Sequence, residues 1–349
     1  MPLPSPLPEP VRFGLIGAGR IGTFHATTLA RRLPEAELLI VADTAEGAAE
    51  RLAAPLGAAA TTDPDAVFAN ERVEAVAITC SSHAHAELVQ RAAAAGKAVF
   101  CEKPMAMTLE EADAAIAACE RAGVPLQVGF NRRFAADFAA AKRIVDDGGV
   151  GTPHLLRSLT RDPGLADPGA VPLWTIFTQT LIHDFDILNW FNSGATAVEV
   201  NAMADALVAP EFKAAGLLDT AVVTIRFDNG AIATAEASFS AAYGYDVRGE
   251  VFGSAGMVTV GTPARPAVQH WTGSGVAGPT VRADTDLFPD AYVAELASFC
   301  HAVRHGTPTA VSGHDARAAL RIALAAIASV ERGGPVRISE IDRSAKAAA

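Results

Sequence analysis

Three groups of residues in this chain have types and spacings that could do chemistry. The first is Gly17-Ala18-Gly19-Arg20-Ile21-Gly22, a G-x-G-x-x-G string placed directly after an apolar run and directly before a segment of helical period. In that context Gly17 permits a tight turn, Gly19 lets the main chain approach a pyrophosphate, and Gly22 allows close helix packing. Asp43 closes the next apolar run about 20 residues on, where a carboxylate can hydrogen-bond a ribose 2′-OH. The same charge repels a 2′-phosphate, and Thr44, Ala45 and Glu46 bring no cation, so NAD is favoured over NADP. Arg20 and Arg51 are the cations that leave dual use open.

The second group is Cys101-Glu102-Lys103-Pro104, at the end of a strand-like run. The carboxyl ends of strands in a doubly wound sheet face the ligand crevice, which directs Lys103 towards the nicotinamide end of the site. Pro104 can tighten the turn, especially through a cis bond. The third group is Gln179, His183, Asp186 and Trp190. On a continuous α-helix this spacing places all four within about 60° of one another. His183 has the side chain suited to a base near neutral pH. Asp186 is a candidate to orient its imidazole, against the plainer reading of a solvated or capping carboxylate. A Pro/Gly-rich, lid-like stretch precedes this helix, with Arg161 and Trp174 as contacts that could equally be structural.

The elements that must hold these residues follow from hydropathy patterning. From Val11 to about Phe130, short β-branched runs alternate with Ala-rich helical segments, which predicts βαβ units and a doubly wound parallel sheet. Expected strands are 11–16, 38–42, 75–79, 98–101 and 126–130, with helices near 21–33, 45–54, 85–95 and 109–121. Beyond Phe130 the pattern predicts an α+β domain with a large, mainly antiparallel open sheet. Its helices are expected over 135–146 and 178–191, and its strands over 154–160, 198–208, 221–227, 231–240, 247–252 and 257–260. Asp228-Asn229-Gly230 reads as a hairpin turn, because Asn and Gly tolerate positive φ. Two closing helices, 291–303 and 314–330, could pack on either domain. The predicted organisation is a disordered leader over 1–10, a Rossmann domain over 11–130 and a substrate-binding and oligomerisation domain over 131–349.

With 28 basic and 39 acidic side chains among 349 residues, the net charge of −11 argues against nucleic acid as a partner. A phosphate-bearing cofactor would instead be met by backbone N–H groups and a helix N-terminus. Cys80, Cys101, Cys119 and Cys300 form no C-x-x-C pair, which argues against a metal site or disulfide framework and fits a reducing cytoplasm. No run is long and apolar enough for a membrane span.

Taken in order, GLIGAGRIG, Glu102-Lys103-Pro104, Gly129-Phe130-Asn131-Arg132-Arg133-Phe134, Ile182-His183-Asp184-Phe185-Asp186, Tyr243-Gly244-Tyr245-Asp246 and Phe252-Gly253-Ser254-Ala255-Gly256 resemble the Gfo/Idh/MocA oxidoreductases, and within them the inositol 2-dehydrogenases. The resemblance implies an NAD-dependent oxidation of a cyclitol or cyclic-sugar hydroxyl, with His183 as general base and Lys103 polarising the hydroxyl. It implies a cofactor set of Gly17, Gly19, Arg20, Ile21, Gly22, Asp43, Thr79, Ser81, His85, Glu102 and Lys103. The implied substrate set is Asn131, Arg132, Arg161, Gln179, His183 and Tyr245. The family pattern places an Asp four residues before the His, where this chain has Gln179, a neutral amide that cannot stabilise an imidazolium as a carboxylate would. A homodimer or homotetramer through the open sheet face is expected, since such a face needs a cover. The rival activities are oxidation or reduction of another pyranose and a redox-assisted, NAD-dependent glycosidase, with a non-catalytic NAD sensor as the rival outside enzymes.

Overall fold

The structure, a computed structural model, describes residues 9–164, 171–261, 270–278 and 280–348. Most of the expected leader and the centre of the lid-like stretch, residues 1–8 and 165–170, lie outside the described residues. The chain divides into two compact units, one containing the residues up to Asn131 together with Tyr292–Arg317, the other Arg132–Ala291 and Ala318–Ala349.

The first unit is built on six strands, β1 (Val11–Ile16), β2 (Ala36–Ala42), β3 (Ala59–Thr61), β4 (Ala75–Ile78), β5 (Ala98–Glu102) and β6 (Leu126–Gly129). They form one parallel sheet in the order β3-β2-β1-β4-β5-β6. The crossovers are α1 (Arg20–Arg31), α2 (Ala48–Ala53), α3 (Asp65–Ala69), α4 (His85–Ala94) and α5 (Leu109–Ala122). Strand order reverses between β1 and β4, and this is where a doubly wound sheet opens a crevice at its carboxyl edge. α5 shows how the sequence sets a boundary. Thr108 and Glu111 form a reciprocal capping box at its start, and Gly123 ends it in the left-handed conformation at φ 65°. β3 and α3 were not expected, being too short to show a period. The core is closed by the returning segment, for Phe299 packs against Phe13 and Phe100 with ring centroids 6.0 Å from each.

The second unit carries α6 (Ala136–Asp146), β7 (Pro153–Arg161), a π-helical turn (Ile176–Thr180) and α7 (Leu181–Phe191). β8 (Ala197–Asp205), α8 (Pro210–Ala214), β9 (Thr220–Phe227), β10 (Ile232–Ser238), β11 (Asp246–Gly253) and β12 (Met257–Val260) follow. A small hairpin of β13 (His270–Thr272) and β14 (Gly275–Ala277) and the short α9 (Asp284–Leu287) precede α10 (Pro289–His305) and α11 (Gly313–Arg332). β15 (Val336–Arg337) and α12 (Ile338–Ala348) end the chain. The sheet runs β12-β11-β7-β10-β9-β8-β15, antiparallel except at β7 and β10. The hairpin at Asp228-Asn229-Gly230 is present, with Gly230 at φ 89°. α7 lies along β7 and β10 on one face. On the opposite face Met257, Phe252, Leu155 and Ile232, all exposed, follow one another in register across four strands. Among the described residues no helix is long and apolar enough to cross a membrane.

The helix expected over 178–191 is not α-helical throughout. Its start at Ile176–Thr180 is π-helical, so Gln179 lies in a wider turn than His183 and the even angular spacing read from the sequence does not hold. Of the two closing helices, α10 from Tyr292 onward joins the first unit, while α11 from Ala318 onward joins the second.

Candidate active site

In the first unit β1 runs into Gly17, whose φ of 106° favours glycine and whose added Cβ would stand 2.5 Å from Cys80 main-chain atoms. A Cβ on Gly22 would fall 1.8 Å from the Gly17 carbonyl oxygen, so α1 can start this close to the loop only with glycine there. Gly19 differs, since a Cβ there meets no atom within 4 Å and the space its hydrogen leaves belongs to no protein group. Thr79 donates its hydroxyl to the carbonyls of Gly17 (2.8 Å) and Ile16 (3.1 Å), fastening the loop to the end of β4. No side chain caps the start of α1 and its first turn carries no acid, so its N–H groups and dipole suit an anion.

Asp43, just past β2, accepts from the Ala18 N–H at 2.6 Å and the Ala45 N–H at 2.8 Å. These contacts fix its carboxylate on the wall of a cavity of about 630 Å³ that Gly17, Gly19, Arg20, Ile21, Thr79 and Ser81 also line. The shape and donors fit a dinucleotide: a glycine cradle, an uncapped helix start and an acid for a ribose hydroxyl. Sequence reasoning passed over Arg91 and Glu87, which line the same cavity and pair with each other on α4. Cys80 lies on this wall too, and burial pushes its thiol up to about 11, so it stays protonated and inert.

The remaining cofactor candidates have other partners. His85 is buried, with Nδ1 2.8 Å from the Pro104 carbonyl and Nε2 3.1 Å from the Cys80 carbonyl. It ties the loop after β4 to the Lys103-Pro104 turn, whose peptide bond is cis. Burial lowers its pKa, against the two carbonyls that favour the imidazolium. Glu102 is also buried; its Oε1 lies 2.7 Å from His25 Nε2, and its Oε2 accepts from the Lys103 N–H at 3.1 Å. Asn131, at the carboxyl end of the sheet, is buried with Oδ1 lacking a hydrogen-bond donor among the described residues.

In the second unit the segment Ile176–Leu188 is buried at every position except Gln179 and His183. The acids between and after them face inward. Asp184 accepts from Ser158 (2.5 Å), Thr160 (2.7 Å) and Arg132 (3.0 Å), which anchors α7 to β7. Burial raises the Asp184 pKa, while the guanidinium and the two hydroxyls act in the opposite sense. Arg132, expected to line the substrate pocket, therefore has its guanidinium in a buried ion pair. Asp186 likewise meets Arg133 through two contacts, Nε at 2.8 Å and Nη2 at 2.5 Å, and the same guanidinium lies over the Trp190 ring. The lower half of the expected four-residue face is thus an ion pair stacked on an indole.

Arg161 follows Thr160 on β7 and so points to the opposite face of the sheet from α7. There it meets Glu236 at 3.3 Å and Asp246 at 3.7 Å. Tyr245 is half-buried, and its N–H donates to the Val281 carbonyl at 2.8 Å just after the left-handed Gly244. Trp174 adopts φ 65° in the turn two residues before the π-helix and packs on Phe177.

Residues 11–130 match the model of an oxidoreductase family with an NAD-binding Rossmann fold, and residues 138–259 match the GFO/IDH/MocA C-terminal domain. The chain is 37% identical to the myo-inositol 2-dehydrogenase of Thermotoga maritima over 334 residues, 95% of this chain and 99% of that one. It is 35% identical to the NAD(+)-dependent scyllo-inositol 2-dehydrogenase of Bacillus subtilis, covering 94% and 96% of the two. The crystal structure of Lactobacillus casei scyllo-inositol dehydrogenase with bound NAD(H) and scyllo-inositol superposes with a TM-score of 0.90 at 26% identity, covering 95% of this chain and all of that one.

Proposed function

This chain belongs to the Gfo/Idh/MocA oxidoreductases, NAD-binding enzymes of which it has both domains, and on that premise we propose that it oxidises a ring hydroxyl of an inositol-type cyclitol to the ketone. It is a dehydrogenase acting on a CH–OH group. Bound NAD supplies the hydride acceptor. Gly17, Gly19 and the start of α1 hold its pyrophosphate, and Asp43 holds a ribose hydroxyl. The hydroxyl proton is left to the protein. His183 takes it as general base, and the Lys103 ammonium donates a hydrogen bond to the same oxygen as negative charge develops there. Gln179 and Tyr245 contact neighbouring hydroxyls, with the Asn131 acceptor as a further partner for one of them. A neutral Gln179 gives donor and acceptor together but no ionic partner for a charged imidazole.

The observation that carries this reading is the burial of the whole Ile176–Leu188 segment except Gln179 and His183. A base and an amide reach solvent from an otherwise sealed helix, and Asp184 and Asp186 are kept away by Arg132 and Arg133. The names of the relatives supply the substrate class. The reading assigns the cofactor to 11–130 and substrate and assembly to 131–349, in a cytoplasmic enzyme. A second copy of the chain covers the in-register apolar row of Met257, Phe252, Leu155 and Ile232, giving a dimer or tetramer.

The test is purified protein with NAD and a panel of inositols, pyranoses and glycosides, following both reduced cofactor and released sugar. Reduced cofactor without sugar release is expected for at least one inositol. His183→Asn is expected to lower kcat by about 100-fold or more. No turnover of any polyol in either direction overturns the proposal, and sugar release without net reduced cofactor replaces it with a glycosidase.

A further inference from the structure

Glu295, on the part of α10 that completes the first unit, is fully buried. Gln127 on β6 donates its side-chain amide to the Glu295 main-chain carbonyl at 2.7 Å, fixing that turn of the helix. A Glu295 carboxyl oxygen, the Glu102 carboxylate and the His25 imidazole lie within 4.8 Å of one another. Neither Glu295 oxygen has a hydrogen-bond donor among the described residues. Two carboxylates this close in a dry interior cannot both ionise cheaply, and an ionised group without a donor is costly there. A neutral acid removes both difficulties, because its O–H becomes a donor and a Glu102 carboxylate oxygen within 4.8 Å is there to accept it.

We propose that Glu295 is a positioning residue, a neutral carboxylic acid whose O–H is donated to the Glu102 carboxylate. Glu102 is then held from three sides, by His25 on α1, by Glu295 on α10 and by the Lys103 N–H at its own strand end. The network fixes the main chain from which Lys103 projects and links it to the helix whose start forms the anion site. The titratable groups facing Glu295 are His25 from α1 and Glu102 from β5, with the Tyr292 ring from α10 edge-on to His25. Burial and the Glu102 charge both push the Glu295 pKa well up. A divalent cation is the rival occupant. It would hold its ligand atoms about 3.4 Å apart, whereas His25 Nε2 and Glu102 Oε1 are in direct contact at 2.7 Å.

The proposal rests on the reading of Lys103 as donor to the substrate hydroxyl. The full chain is compared with Glu295→Gln, which keeps a donor, and Glu295→Leu, which does not. Infrared difference spectra near neutral pH should show a protonated-carboxyl carbonyl band, sensitive to D2O, that both variants lose. Glu295→Leu should lower kcat about tenfold with KM for NAD changed less than about twofold, and Glu295→Gln should recover kcat to within about threefold of wild type. Absence of the band, wild-type kcat in Glu295→Leu, equal damage from both substitutions, or a stoichiometric metal lost from Glu295→Gln each overturns the proposal. The infrared comparison needs no substrate and stands on the Gln variant alone. It is therefore decided separately from the cyclitol assay and from any failure of the Leu variant to fold.

Discussion

Arg133→Met tests whether Asp186 serves the fold or the imidazole. The pair is sealed, with 6% of the Arg133 side chain and 1% of the Asp186 side chain exposed. Methionine keeps an apolar stem against Trp190 but leaves the Asp186 carboxylate without its guanidinium. Removing one partner of a buried ion pair costs about 3–5 kcal/mol, whereas replacing both by apolar groups is about neutral. The single variant should therefore lose about 4 kcal/mol, and Arg133→Met with Asp186→Leu should regain most of that loss, a coupling of about 3 kcal/mol. Urea unfolding followed by tryptophan fluorescence isolates the effect, because Trp174, Trp190 and Trp271, the three tryptophans of the chain, all belong to the second unit. A loss below about 1 kcal/mol in the single variant, or a double variant no more stable than the single, would refute the ion-pair reasoning. The pH profile of kcat/KM supplies the other half. In the double variant its acidic limb should stay where it is in the wild type, and a displaced limb would return Asp186 to the role of orienting His183.

Gly22→Ala should raise the Kd for NAD by tenfold or more in calorimetric titration while helical circular dichroism is kept, since its Cβ would displace the Gly17 carbonyl 1.8 Å away. Asp43→Ser should raise the NADP to NAD ratio of kcat/KM about tenfold by removing the charge that repels a 2′-phosphate. Arg304 donates to Glu74 at 2.7 and 2.8 Å and holds its carboxyl down to about 2, below the ordinary 4.5. Because the folded value is the lower one, this stabilisation is complete above pH 4.5 and is lost as pH falls towards 2. Thermal or denaturant unfolding of Arg304→Met should accordingly show a deficit of about 1 kcal/mol near neutrality, after allowing for solvent screening, that vanishes in acid. Phe252→Lys should shift the sedimentation of the protein towards monomer, and an unchanged profile would mean that another surface makes the assembly.

Much of the fold was legible because alternating short strands and Ala-rich helices carry two distinct periods. The glycine string, Asp43 and the Lys103-Pro104 turn could be located because each sits at a strand end. β3 and α3 escaped because three and five residues are too short for a period to register. The π-helical turn escaped because residue spacing assumes one helical pitch. The buried ion pairs are invisible for a different reason. Arg132 and Arg133 are separated from Asp184 and Asp186 by 52 and 53 residues, so neither run says that it will be neutralised by the other. Glu295 has Ala291, Tyr292, Ser298 and Phe299 as its neighbours one turn away, and only the packed structure shows which groups its carboxyl faces, His25 and Glu102.

The return of α10 to the first unit also sets an order of events during synthesis. Leu296, Phe299 and Cys300 share one core with Phe13, Leu15 and Phe100. Residues Arg132–Ala291, the larger part of the second unit, are translated between those two sets, and the rest of that unit, Ala318–Ala349, follows them. The nascent chain therefore lacks the Phe299 ring against Phe13 and Phe100 until α10 has left the ribosome. The first unit thus completes its core only late in synthesis, and a chain truncated before Tyr292 is expected to hold NAD less tightly than the full chain.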